Sequence, residues 1–188
     1  MFSGKIEDYI LFEDKEIIVC RKPAGIAVQN ARIGAMDLES SLKNYLAMQD
    51  GGGRRIPYLA VIHRLDQPVE GILVFGKTPE AAKSLSAQIT AGKMEKIYLA
   101  VTYGKQAEAG KKEKVLEDYL KKDGKSNTSS VVNAHTPGAK KARLSYEVLG
   151  EAVDAISGKK KWLLRIHLDT GRHHQIRAQM AHAGMPLA

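Results

Sequence analysis

The chain has 188 residues, 29 Lys+Arg against 21 Asp+Glu, and 44% hydrophobic residues. That length suits a single domain, and the composition excludes a disordered or fibrous chain. A core of this size needs neither disulfide nor structural metal, and the lone Cys20, in the apolar run Ile17–Cys20, excludes an intramolecular disulfide and fits a reducing compartment.

The formal net charge of +8 has two readings, attraction to a polyanion or simple solubility. No segment approaches the ~20 apolar residues of a membrane helix, and Glu7, Asp8, Glu13 and Asp14 interrupt any signal-peptide core, so the expected location is the cytoplasm. In chain order, Ile6–Cys20 reads as two short strands around an acidic turn, broken by Lys22-Pro23-Ala24-Gly25. Asp37 caps a helix through Leu38, Leu42, Tyr45 and Leu46, and Gly51-Gly52-Gly53 with Arg54-Arg55 reads as a mobile basic loop. Leu59–Ile62 is a strand, His63-Arg64-Leu65-Asp66 follows, and Ile72–Phe75 is a buried strand. Thr78 and Pro79 start a helix whose face Ala81, Leu85, Ile89 runs to Gly92.

In Lys96–Tyr103 the alternation puts Tyr98 on one side with Lys96 and Ala100, opposite Ile97 and Leu99. Lys105–Ser130 is lysine-rich and polar, an exposed hairpin or excursion. Leu144–Leu149 and Lys161–Leu168 form a strand pair, and a helix is expected over His173–Ala183, stopped by Gly184. Strands outnumber helices and short turns join them, which predicts an α+β domain with a large, mainly antiparallel sheet.

Two polar clusters fall at strand ends, where side chains can point into a cleft while the sheet holds the backbone. The first is His63-Arg64-Leu65-Asp66. The second, Thr170 to Arg177, places Arg172 and Arg177 about the opening turns of a helix, whose amide end favours anions. Asp66 is either a structural turn or ion-paired carboxylate, or a nucleophile or base held ionised by an arginine, for which Arg177 is the candidate. The kinase catalytic loop lacks the leucine found here, and no glycine-rich phosphate loop or Asp-Phe-Gly accompanies it. The six histidines have no zinc spacing and are expected to bond backbone or a polyanionic partner instead. Dinucleotide, Walker and Gly-x-Ser-x-Gly motifs are absent.

The run His63 to Lys77 resembles the catalytic motif of the RluA-type RNA pseudouridine synthases. Three further stretches fall in that family's order: Asp14–Gly25 with Lys22-Pro23-Ala24-Gly25, Lys96-Ile97-Tyr98-Leu99-Ala100, and Leu168 to Arg177. The resemblance spans essentially the whole chain and implies the pseudouridine synthase fold, a large mixed, mainly antiparallel sheet flanked by helices and loops with a central active-site cleft. It implies isomerisation of uridine to pseudouridine in rRNA or tRNA, without cofactor or metal; a monomer is the default expectation.

By the same resemblance Asp66 is the catalytic carboxylate, attacking either the ribose anomeric carbon or the uracil ring. Tyr98 stacks on the base near the proton that leaves it. Arg177 pairs with the aspartate, and Arg64, with His63 beside it, contacts RNA and fills the place of the extruded nucleotide. Arg172, His174 and Gln175 are implied phosphate, ribose or loop-positioning residues.

Two departures stand out. Val69-Glu70-Gly71 replaces the Thr-Ser-Gly of many members, and the chain stops at Gly184–Ala188, where the family continues into further strands. Residues 1–188 are therefore expected to be the catalytic domain without its C-terminal strands and without an N-terminal S4 domain. The alternative reading is a synthase-like RNA-binding module without turnover.

Overall fold

The computed structural model describes residues 3–30, 36–51, 56–104 and 113–188. The expected loop at Gly52–Arg55 and the start of the lysine-rich stretch, residues 105–112, lie outside the described residues. The α+β class holds, and the chain divides into two compact units, Met1–Lys93 and Met94–Ala188, each with its own antiparallel sheet.

The first unit holds β1 (Ile10–Glu13), β2 (Ile17–Lys22), α1 (Leu38–Gln49), β3 (Ala60–Val61), β4 (Gly71–Gly76) and α2 (Pro79–Thr90). Its sheet has the order β1-β2-β4-β3. The acidic turn between β1 and β2 closes because Asp14 Oδ1 accepts the amides of Glu16 and Ile17, both at 2.7 Å. The β2–β4 register runs from Ile17 opposite Gly76 to Lys22 opposite Gly71. Period two then sends Ile18 and Cys20 to the inner face, where they meet Leu38, Leu42 and Leu46 of α1 and Leu73 and Phe75 of β4.

Both helices start at the capping residues legible in the sequence. Asp37 accepts the Ser40 amide at 2.7 Å, and Thr78 accepts the Ala81 amide at 3.1 Å with Pro79 in the first helical position. Burial pushes the Cys20 thiol up to about 12, which leaves essentially no thiolate at neutral pH.

The second unit holds β5 (Ile97–Thr102), β6 (Lys114–Asp123), β7 (Thr128–Val132), β8 (Lys140–Val153), β9 (Lys160–Leu168) and α3 (Gln175–His182), with sheet order β5-β9-β8-β6-β7. The lysine-rich stretch is thus the hairpin of its two readings, β6 paired with β7. β8 is much longer than the expected Leu144–Leu149 and carries a register shift between Val148 and Gly150. One face buries Leu144, Trp162, Leu164 and Ile166 under Met180 of α3, with Tyr98 and Ala100 of β5 packed alongside. The other face leaves Ile97, Leu99 and Val101 exposed.

The chain after α3 returns to the outer edge of β5, where the Tyr103 amide donates to Pro186 O and the Ala188 amide to Val101 O, each at 2.9 Å. Gly104, at φ +100°, lies hard against the Gly184 carbonyl, so a side chain there meets both an unfavourable backbone angle and occupied space.

Two outcomes follow. Gly104→Ala should lower stability by about 2 kcal/mol or more in urea unfolding, whereas Gly124→Ala, where a Cβ meets nothing within 4 Å, should leave the midpoint nearly unchanged. Cys20 should resist a thiol reagent at pH 7.5 in the native protein and react fully once urea unfolds it; rapid native labelling would show that its burial is wrongly described.

Candidate active site

In the first unit the site is the loop from β3 to β4. Arg64 and Asp66 are exposed, while His63 and Leu65 between and before them are half-buried, the alternation of an extended segment with one side against the core. Leu65 packs on the hydrophobic cluster, and its Cδ1 lies 2.8 Å from where a Cβ on Gly71 would sit, so the glycine opening β4 makes room for the anchor beside Asp66. The Val74 amide donates to His63 Nε2 at 3.4 Å, placing the imidazole against β4 just after β3 ends. Asp66 O accepts the Val69 amide at 3.0 Å and closes the turn that follows.

The loop is clamped from beneath by Lys22. Its side chain is 0% exposed, and its ammonium donates to Pro23 O at 2.9 Å, Ile26 O at 2.6 Å and Gln67 O at 3.0 Å. Gln67 O also accepts the Gly25 amide at 2.9 Å, and Gln67 Nε2 donates to Gly25 O at 3.0 Å. The Lys22-Pro23-Ala24-Gly25 turn and the residue after Asp66 are therefore stitched together, with Gly25 at φ +83°, an angle that glycine adopts without cost. Burial pushes the Lys22 ammonium below the usual lysine range, against the opposing pull of the Asp66 and Glu70 carboxylates. A fixed cation thus stands within electrostatic reach of Asp66.

Lys22 was missed as a site residue. The signal was available: Ile18, Cys20 and Lys22 share one parity in β2, and the lysine occupies the inward position just before the turn.

In the second unit the site residues gather around the turn from β9 into α3. The helix starts later than expected: His173 and His174 precede it, and His174 is its N-cap residue in the left-handed region at φ 49°, ψ 33°. The two imidazoles stack with ring centroids 3.7 Å apart, and His173 Nδ1 shares a hydrogen bond with Ser129 Oγ of β7 at 2.9 Å. Arg172 and Arg177 are both exposed, Arg172 before the helix and Arg177 in its first turn. Arg172 Nε donates to Lys141 O at 2.8 Å. Tyr98 is half-buried on the face of β5 that packs toward Ile176 and Met180.

Of the three roles expected for Gln175, its burial favours loop positioning over RNA contact: it is 3% exposed and its amide is spent inside the protein. Its Oε1 accepts the Arg172 amide at 2.9 Å and the Thr170 hydroxyl at 2.8 Å, and its Nε2 donates to Arg143 O and Gln179 Oε1, each at 3.0 Å. Gln179, one turn on and fully buried, donates to Asp118 Oδ2 at 2.8 Å. A buried amide must be satisfied on both its oxygen and its nitrogen, and this pair is satisfied by the strands below and the loop above. A separate hollow of about 380 Å³, lined by Glu95, Ile97, Glu147, Arg165 and His167 among others, includes none of the candidate site residues.

The α+β arrangement is shared with known proteins. A family profile described as RNA pseudouridylate synthase matches residues 16–182. The chain is 33% identical over 183 residues to the ribosomal large subunit pseudouridine synthase D of Pseudomonas aeruginosa, covering 97% of this chain and 52% of that protein. It is 31% identical over 182 residues to the tRNA pseudouridine synthase C of Haemophilus ducreyi, covering 95% of this chain and 70% of that protein. The human RNA pseudouridylate synthase domain containing 4 superposes with a TM-score of 0.72 at 21% identity, over 97% of this chain and 67% of that one, which speaks to the fold. The chain spans about half the length of several curated relatives that it matches. It belongs to the RNA pseudouridylate synthase family, within its RluA-type branch.

Replacing Lys22 by Met should strand three carbonyls and cost about 2 kcal/mol or more, with faster hydrogen exchange at Gly25 and Val69 specifically. Unchanged exchange at those two amides would show that the ammonium is not what holds the loop.

Proposed function

We propose that this chain isomerises uridine to pseudouridine in RNA, with Asp66 as the catalytic carboxylate. The observation that carries the reading is the His63–Asp66 segment: it bears the family's motif, and the fold presents its carboxylate outward while fixing both flanking residues, Leu65 in the core and Gln67 in the Lys22 clamp. Such a group can react without its loop having to reorganise.

The chemistry asks for cleavage of the bond between ribose C1′ and uracil N1, reorientation of the base, and formation of a bond from C1′ to uracil C5. The C5 proton leaves and N1 gains one, so atoms balance without a redox partner. Asp66 attacks either C1′, from which it is displaced as C5 bonds to C1′, or the uracil ring, from which it is expelled by elimination after that bond has formed. Tyr98 is proposed to stack on the base and take part in the proton transfer, its phenol uniting both capacities. Arg177 is proposed to supply the cation that keeps the carboxylate ionised. Arg64, exposed two residues before Asp66, is proposed to replace the extruded nucleotide in the RNA fold, with His63 beside it held closer to β4. Arg172 and His174 are proposed to contact RNA.

The names of the relatives and the excess of Lys+Arg support rRNA or tRNA as substrate. We read residues 1–188 as the catalytic domain of a cytoplasmic monomer. Among the described residues, no helix is long and apolar enough to cross a membrane.

Cellular rRNA and tRNA incubated with the protein should gain pseudouridine at mapped positions. Asp66→Asn should reduce the yield by about 10³-fold or more while leaving RNA affinity and its salt dependence near wild type. Equal modification by the variant would reject Asp66 as the reacting carboxylate. RNA binding with no modification by either protein would identify a binding module instead.

A further inference from the structure

Lys96 stands at the entrance of β5 with its carbonyl accepting the Leu168 amide at 2.9 Å, which fixes it beside the point where β9 gives way to Asp169–Arg172. Strand parity puts its side chain on the same face as Tyr98. There the ammonium lies against Gly171: a Cβ at that residue would be 3.9 Å from Lys96 Nζ and would meet nothing else within 4 Å.

Gly171 has neither of the usual reasons to be glycine. Its φ is outside the left-handed region, unlike that of Gly25 or Gly104, and no backbone or packed side chain crowds it. What the missing side chain preserves is open, exposed space beside a half-buried cation.

A second cation borders that space. Arg172 is exposed and is anchored through Nε to Lys141 O. Burial pushes the Lys96 ammonium down most, the Asp169 carboxylate pulls it up, and the Arg172 guanidinium pushes it down by less. Asp169 is itself paired with Arg143 at 2.5 Å. Among the described residues neither Lys96 nor Arg172 has a carboxylate at ion-pair distance. Two like charges beside bare backbone are relieved by an incoming anion, and a guanidinium and an ammonium together suit a phosphate.

We propose that Lys96 and Arg172, flanking the uncovered backbone of Gly171, form a subsite for one RNA phosphodiester next to the uridine presented to Tyr98. The proposal rests on the RNA-modifying function above and adds to it a position on the nucleic acid backbone. Lys96 binds substrate here, with no share in bond making.

The test uses a fluorescent hairpin RNA of defined sequence with a uridine-containing loop, and its Kd is measured across a chloride series. Lys96→Met should weaken binding several-fold and reduce the slope of log affinity against log salt by about 0.7–0.9, the signature of one lost phosphate contact. Lys96→Arg should keep the wild-type slope. Gly171→Val, which fills the space without needing a special backbone angle, should lose affinity with an unchanged melting temperature. A wild-type slope in Lys96→Met, or wild-type affinity in a folded Gly171→Val, would overturn the subsite. If the slope falls as expected but the wild-type chain forms no pseudouridine in total RNA, the subsite stands and the catalytic reading fails.

Discussion

The placement of Asp66 depends on a buried ammonium. An isolated lysine charge removed from water is costly, so Lys22 can remain inside only because three carbonyl oxygens surround it. Those carbonyls come from two places far apart in sequence, the turn just after Lys22 and the residue just after Asp66. The charge therefore compels the two segments to meet, and the Gly25–Gln67 hydrogen bonds make the meeting specific. Lys22 also pairs across the sheet with Gly71, the residue whose missing side chain admits Leu65. Clamp and anchor thus converge on one corner of the sheet, and the exposed carboxylate sits on the segment between them.

The second unit reaches a similar end with neutral groups. Gln175 and Gln179 have no charge to desolvate, and together they join the loop above to the strands below, Gln175 bonding the loop and Gln179 carrying the chain of bonds on to Asp118. This network explains how His174 is kept in a left-handed conformation that costs a non-glycine residue about 1–3 kcal/mol. The amides of Asp169 and Thr170 are tied to Arg143 O on one side, and Gln175 is buried on the other, so the residues between have little freedom to relax. The consequence is positional: the helix begins at Gln175, His173 turns toward Ser129, and Arg177 stays in the exposed first turn.

The sequence was most legible where the deciding physics was local. The caps at Asp37 and Thr78 and the alternation in β2 and β5 depend on neighbours a few residues away, and those elements appear where expected. β3 is shorter than Leu59–Ile62 because the His63 ring, rather than another strand residue, accepts the Val74 amide. β8 is longer than its apolar stretch because the polar ends Lys140–Arg143 and Gly150–Val153 are held by cross-strand partners in β6 and β9. Asp66, Arg64, Arg172 and Arg177 lie at the strand and helix ends where the sequence places them, and all four are exposed. The burial of Lys22 and Gln175 was not legible, since polarity suggests exposure and only distant partners such as Gln67 and Arg143 make it tolerable.

What the two loops share is the kind of bond that holds them. Lys22, Arg172 and Gln175 all donate to backbone carbonyls, whereas among the described residues pairs such as Lys77–Glu13 and Lys141–Glu117 join partly exposed side chains outside the two loops, and Arg143–Asp169 touches only the first residue of the second. The distinction matters for a protein proposed to bind a polyanion. Phosphates compete with carboxylates for surface lysines and arginines, and salt screens such pairs. A carbonyl acceptor neither titrates in the physiological range nor exchanges for a phosphate when it is buried beneath the loop. The segments carrying Asp66 and Arg172 can therefore keep their shape as RNA arrives, leaving the exposed cations free to change partners while the groups beneath them stay fixed.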